Sequence, residues 1–219
     1  PEANQVVERI AREKGAPFSS LASRDESKEQ LPQTNLTGAY QKRNAALAIR
    51  ATEILNERFP VDPETAVAAL TQVRLKGRWQ VLSGKPTVIL DACHNEEAAD
   101  ALRGNLLEWG GKLEVWLGSL DEARAREVVT AVLPFASGFR LFEPSQPRAC
   151  SFDLLSSLIP EGFEGSVSEG EIARVDEYLE ATTENQTILV TGSIYLIGEY
   201  LSLANEATSK EGSVFQDLL

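Results

Sequence analysis

Residues Thr87 to Ala99 read TVILDACHNEEAA. The apolar run Val88-Ile89-Leu90 after Thr87 predicts a short buried strand. Asp91 ends it, Ala92-Cys93 and His94 follow, and Asn95 stands where a helix N-cap belongs, ahead of Glu96 and Glu97. Glutamates in a first helical turn suit the positive end of the helix dipole. In a parallel α/β sheet, ligands bind beyond the carboxyl ends of strands. Asp91 and His94 are thus expected on a strand-to-helix loop at such an end. His94 is the only histidine of the chain, so any imidazole chemistry falls to it.

Downstream, strand and helix patterns alternate. A helix is expected over 96–109, with Ala98, Ala101, Leu102, Leu106 and Trp109 as its apolar stripe and Gly110-Gly111 as its stop. A strand at Leu113–Leu117 and a helix at 123–136 follow. Next come a strand at Phe139–Phe142, a helix capped by Ser151, a weak strand near Phe163–Val167 and a helix at 171–182. Thr187–Val190 is the last strand, Thr191-Gly192-Ser193 its turn and Ile194–Ala204 a helix; the tail from Thr208 is expected to be loosely held. This alternation predicts an α/β class with a mostly parallel sheet and helices on both faces.

Upstream the reading is helical. Residues 1–14 carry Val6, Val7 and Ile10 on one side, and Gly15-Ala16-Pro17 ends that helix. Ser19–Gln33 is polar and aperiodic, a loop. A helix over 41–58 places Ala48, Ala51, Leu55 and Phe59 on one face, and another over 64–72 has Asp62 as N-cap and Pro63 in its first turn. LKGRWQVLSGKP, residues 75–86, breaks the pattern. The expected organisation is therefore a mostly helical part over 1–79, a hinge at 80–85 and an α/β domain at 86–219.

The 219 residues include 42% apolar types, enough for a real core, and carry a net charge of −12 with no dominant basic patch, which argues against a nucleic-acid partner. No apolar run is long enough to cross a bilayer, and the start does not read as a signal peptide, so no membrane partner is expected. Cys93 and Cys150 lie far apart without metal-ligand spacing. Neither a disulfide framework nor a metal site is expected, which favours a cytoplasmic setting. The chain opens on Pro1-Glu2 and contains no Met, the mark expected of a piece of a longer protein. There is no G-x-x-x-x-G-K-[ST] loop, no G-x-G-x-x-G after a strand, and no basis for a Ser/His/Asp triad.

Four constellations carry chemistry, each beside a bland alternative. Asp91 with His94 suits a ribose, a phosphate or an amino acid; otherwise Asp91 caps a turn and His94 is a surface residue. Arg78 beside Gly77 suits a phosphate; otherwise it is a solvated linker residue. Gln41 and Asn44, three apart on a helix, can read a base edge with their amides, or merely face water. Thr191-Gly192-Ser193 offers a hydroxyl and backbone N–H groups to a carboxylate, or simply caps a helix. Cys93 reads as a small residue filling a tight turn.

Taken in order, these pieces resemble one family. GAYQKRNAALA (38–48) resembles the G-x-H-Q-x-x-N-A-A-x-A stretch of the folylpolyglutamate synthase/dihydrofolate synthase family, within the Mur ligase superfamily. LKGRWQVL (75–82) is similar to its W-P-G-R hinge, and VILDACHNEEAADAL (88–102) to its V-I-L-D-G-A-H-N-P-x-A-A segment. Pro147-Arg148-Ala149 matches a P-R-A element, and VTGSIYLIGEYL (190–201) matches V-T-G-S-L-Y-L-x-G-E. The five elements span about residue 36 to residue 203. The chain departs from the pattern at Tyr40, where the family has His, and at Ala92-Cys93, where it has Gly-Ala. It departs again at Asp121-Glu122-Ala123, where a D-K-D is usual and the lysine is missing.

The resemblance implies a Rossmann-like carboxy-terminal domain preceded by the tail of a central ATPase domain. It implies that ATP activates a folate or dihydropteroate carboxylate as an acyl phosphate, which the amine of L-glutamate attacks. By position, Asn44 would touch adenine, Arg78 the nucleotide phosphates, Asp91 the ribose, His94 the ribose and the incoming glutamate, and Ser193 the glutamate carboxylate. His94 and Arg78 are the expected catalytic residues. The P-loop and the Mg2+ ligands are expected upstream of this chain, which alone should not turn over ATP, and a monomer is expected. Another Mur-type amino-acid ligase, or a non-catalytic ligand-binding module, are the rival readings.

Overall fold

The computed structural model describes residues 2–21, 31–37 and 39–211. They fall into two units, Pro1–Arg74 and Leu75–Leu219.

The first unit holds α1 (Glu2–Glu13), α2 (Ala39–Leu55) and α3 (Pro63–Ala69). Gly15, at φ +64°, follows the end of α1, and surface pairs Arg9–Glu13 (2.7 Å) and Arg12–Glu8 (3.2 Å) lie along it. Its Val6, Val7 and Ile10 side is exposed. α3 starts as expected: the Asp62 carboxylate accepts the Thr65 N–H at 2.8 Å, with Pro63 in the first turn. The expected face of α2 is corrected. Ala48, Ala51, Leu55 and Phe59 are exposed, and the buried side runs through Gln41 and Ala45. A helix so rich in alanine has no dominant apolar stripe, so spacing alone fixes its rotation weakly. Most of the loop expected at 19–33 (residues 22–30) and Gly38 lie outside the described residues.

The second unit is built on one six-stranded sheet, of order β1-β2-β6-β3-β4-β5. The strands are β1 (Gln80–Leu82), β2 (Thr87–Asp91), β3 (Leu113–Leu117), β4 (Ala136–Phe142), β5 (Ser166–Gly170) and β6 (Thr187–Thr191). β1 runs antiparallel to β2, and every other pairing is parallel. The connecting helices are α4 (Glu96–Trp109), α5 (Glu122–Val132), α6 (Phe152–Ser157), α7 (Val175–Ala181) and α8 (Ile194–Glu211).

Successive strand residues point to opposite faces, and two cores result. One packs Ile89, Leu113, Val115, Leu117, Phe139, Leu141 and Leu189 against Leu102 and Leu106 of α4, Val128 and Val132 of α5 and Leu155 of α6. The other packs Val88, Leu90, Trp116, Phe142, Ile188 and Val190 against Val175 of α7 and Leu196, Ile197 and Tyr200 of α8. The predicted α/β class, mostly parallel with helices on both faces, is the observed one.

Several boundaries differ from those expected. The first unit ends at Arg74 rather than at residue 79, and Gln80–Leu82, inside the stretch expected as a hinge, is a sheet strand. The backbone of this segment finds its partners on β2, so it belongs with the sheet. The helix expected to reach residue 136 ends at Val132; a 3-10 turn with Pro134 follows, and β4 starts at Ala136. Proline lacks the N–H that would continue the helix. The weak strand lies at Ser166–Gly170, three residues later than expected. α8 continues to Glu211, past the expected tail boundary at Thr208, and residues 212–219 lie outside the described residues.

Leu106 is 1% exposed in the first core, whereas its neighbour Leu107 is 66% exposed. Leu106→Ala is expected to lower unfolding stability by about 2–5 kcal/mol, from lost transfer energy and the cavity left behind. Leu107→Ala is expected to stay within about 0.5 kcal/mol. Urea titrations followed by tryptophan fluorescence check both, and equal losses would contradict the assignment of this helix face.

Candidate active site

The site is built from the carboxyl ends of three adjacent strands. Asp91 of β2 pairs in register with Thr191 of β6, which pairs with Leu117 of β3. The connections of β2 and β3 leave toward α4 and α5 on one face, while that of β6 leaves toward α8 on the other. Adjacent strands whose connections part in this way open a crevice between them.

After β2, Asn95 caps α4 by accepting the Ala98 N–H at 2.8 Å. After β3, Asp121 caps α5 by accepting the Arg124 N–H at 3.1 Å, and the Ser119 hydroxyl donates to the Asp121 carbonyl at 3.0 Å. After β6, Gly192 turns the chain at φ +96°, where a Cβ would lie 2.5 Å from the Gly118 carbonyl oxygen, so only glycine fits. Ser193 follows, and its Oγ accepts the Tyr195 N–H at 3.2 Å.

The segment before β1 is fastened to the end of β2. The Ala92 N–H donates to the Gly77 carbonyl at 2.8 Å. The Trp79 N–H donates to Asp91 Oδ2 at 3.0 Å. Arg78 Nη1 donates to the Ala92 carbonyl at 3.0 Å, and the same oxygen lies 2.7 Å from His94 Nδ1. A carbonyl oxygen can only accept, so Nδ1 carries the proton and Nε2 of the neutral ring is left as a proton acceptor. The turn needs Gly77 at φ +69° and holds Trp79 at φ +46°.

These elements enclose a cavity of about 310 Å3. Of the residues singled out in the sequence, Arg78, His94 and Ser193 line it together. Asp91 lies behind that wall, 4% exposed. Asn44 belongs to the first unit, where its amide donates to Gln41 Oε1 at 3.2 Å. Ser119, Asp121, Arg124 and Tyr195, to which the sequence analysis assigned no role, also line the cavity. The rule that pointed to Asp91 and His94, a strand's carboxyl end, would have pointed to the loop after Leu117 as well.

Charge in the cavity is mixed: Arg78 and Arg124 line it together with one acidic residue, Asp121. Burial pushes the Cys93 thiol up to about 12, and the charge of Asp91 adds to the shift, so the thiol stays protonated and inert. Burial likewise raises Asp91 to about 6, against the opposing pull of the Trp79 N–H and Arg78. Among the described residues no group of three or more His, Cys, Asp or Glu side chains could hold a metal ion. Nor is any described helix long and apolar enough to cross a membrane.

The raised Asp91 has a stability consequence. Between its ordinary value of 3.8 and about 6, the unfolded chain releases a proton that the folded chain keeps. The contribution of this group is therefore full below that window and lost as pH rises through it. Wild type is expected to lose stability relative to Asp91→Asn between pH 4 and pH 7, by up to about 3 kcal/mol. Urea midpoints of both proteins across that range check it, and parallel pH profiles would contradict it.

No family model matches the chain. Dihydrofolate synthase/folylpolyglutamate synthase of Bacillus subtilis (strain 168) is 26% identical over 91% of this chain and 51% of that protein. In fold, the chain is similar to Mycobacterium tuberculosis folylpolyglutamate synthase complexed with ADP. That match has a TM-score of 0.65 and 23% identity over 78% of this chain and 41% of that one. It is also similar to E. coli FolC in complex with DHPP and ADP, with a TM-score of 0.69 and 21% identity over 93% of this chain and 51% of that one. The resemblance read from the five sequence elements is thus borne out: in sequence and in fold the chain is similar to folylpolyglutamate and dihydrofolate synthases, and it spans about half their length.

Proposed function

We propose that this chain supplies the amino-acid side of an ATP-dependent ligase that joins L-glutamate to a folate, and to dihydropteroate where both activities are present. The observation that carries the reading is the convergence of Arg78, His94 and Ser193 on one cavity at the carboxyl ends of β2, β6 and β3. The names of the relatives give the class of reaction, and ADP in the neighbouring structures gives the nucleotide.

In this reading the γ-phosphoryl group of ATP moves to a carboxylate of the folate. The glutamate amine attacks the acyl carbon, an amide bond forms and phosphate leaves. The amine must shed a proton to finish the step, and His94 Nε2 receives it. Arg78, held by the Ala92 carbonyl, faces the phosphates and offsets the charge that develops there. Ser193 and the first N–H groups of α8 receive a carboxylate of glutamate. Asn44 reads the adenine. The resemblance assigns Asp91 to the ribose, and in this fold the buried carboxylate positions the Gly77–Trp79 turn from which Arg78 projects.

Mg2+ accompanies the nucleotide, and no residue of this chain is assigned to it. The sequence has no G-x-x-x-x-G-K-[ST] loop to cradle phosphates, so the chain alone does not turn over ATP. All residues lining the cavity belong to one unit of one chain, which supports a monomer, and we place the reaction in the cytoplasm.

In the full-length protein that carries this chain, ATP- and glutamate-dependent gain of one glutamyl mass on a reduced folate is expected. Its absence overturns the reading. His94→Ala is expected to lower kcat about 100-fold, the usual scale for losing a general base. Undiminished turnover by that variant overturns the role of His94 alone.

A further inference from the structure

Among the described residues, Trp79 is the one residue other than glycine at positive φ, +46°. A bulky side chain is an outlier in that region, whereas glycine adopts it at no steric cost. A tryptophan at this point is therefore kept for its ring. Such conformations persist where the surroundings over-determine them, and they gather at functional sites. Residue 79 is where the turn gives way to β1, since Gln80 already pairs with Leu90 of β2. The backbone around it is pinned at three points. The Gly77 N–H donates to Gln80 Oε1 at 3.0 Å, the Ala92 N–H to the Gly77 carbonyl at 2.8 Å, and the Trp79 N–H to Asp91 Oδ2 at 3.0 Å. The Trp79 indole packs against the first core. It meets Trp109, the last residue of α4, edge to face, with ring centroids 6.3 Å apart and planes at 76°. Neither indole lines the cavity, whereas Arg78, one residue earlier, does.

Resting on the reading above, we propose that Trp79 is a positioning residue for Arg78, the cation that faces the phosphates, and that Trp109 holds it in that role from outside the cavity. Arg78 Nη1 donates to the Ala92 carbonyl at 3.0 Å, and one such bond does not fix a long, jointed side chain. The direction in which that side chain leaves the backbone is set by the turn. The left-handed bend at residue 79 sends the guanidinium to the cavity and the next side chain to the core. The two indoles act as a clasp: rings in edge-to-face contact hold each other beyond what burial alone supplies. They keep residue 79 from relaxing to a right-handed conformation. A relaxed turn carries Arg78 away from the charge it offsets, and a catalytic group loses effect steeply when misplaced.

Steady-state turnover of the full-length protein, measured with Arg78 present and in an Arg78→Ala background, tests the proposal. Trp79→Gly tolerates the positive φ and removes the ring. It is expected to lower kcat at least about tenfold, within the range for a misplaced catalytic group, while KM for glutamate holds. Trp79→Phe should recover part of the loss. Trp109→Ala, made outside the cavity, should lower kcat in the same direction. In the Arg78→Ala background both substitutions should cost nothing further, because residues that act through one group are not additive. Equal losses in the two backgrounds overturn the proposal, since a merely structural role is felt in both. So does a KM for glutamate that rises in step with the fall in kcat, the mark of a cavity distorted as a whole. An unchanged kcat in Trp109→Ala overturns it as well, and decides the matter where Trp79→Gly does not fold; these outcomes leave the broader reading intact. Failure of the wild-type protein to lengthen folate at all removes that reading and this proposal with it.

Discussion

One backbone carbonyl, that of Ala92, holds the candidate site together. It lies 3.0 Å from Arg78 Nη1 and 2.7 Å from His94 Nδ1, so a single acceptor positions a cation and fixes a tautomer. A carbonyl oxygen has two lone pairs and can serve two donors without strain. The same residue's N–H reaches back to the Gly77 carbonyl at 2.8 Å. Both backbone polar groups of this residue therefore join the 77–79 turn to the loop that carries His94. A side chain there would add nothing to this function, which is why a plain alanine can occupy the position.

The buried Asp91 completes the joint from the strand side. Its carboxylate accepts the Trp79 N–H and sits close enough to Arg78 to feel its charge. Burial opposes ionisation and the two partners favour it, and burial prevails, leaving the group near 6. This carboxyl group is costly to keep in place, and its return is the placement of Arg78.

The parallel sheet was legible in the sequence because each buried strand is a short, dense apolar run closed by a turn or a cap, as at Thr187–Val190 and Thr87–Leu90. His94 and Ser193 were legible for the same reason, since each lies on the turn that follows such a run. What stayed hidden was set by distant contacts. β1 takes its identity from pairing with β2, and no periodicity within Gln80–Leu82 announces it. The exposed face of α2 escaped notice because alanines recur all around that helix. Arg124 escaped because its place at the cavity depends on where β3 lies in the sheet, and the order of strands is not written in any local stretch.

That order has a consequence for how the molecule comes into being. β6 is the last of the six strands in sequence, yet it occupies the middle of the sheet, between β2 and β3. Until Thr187–Ser193 is threaded into that gap, the first two walls of the cleft have no shared floor. A chain stopped short of this segment lacks the Gly192-Ser193 turn that stands between those walls. The cleft is thus completed only when the last strand in sequence joins the sheet.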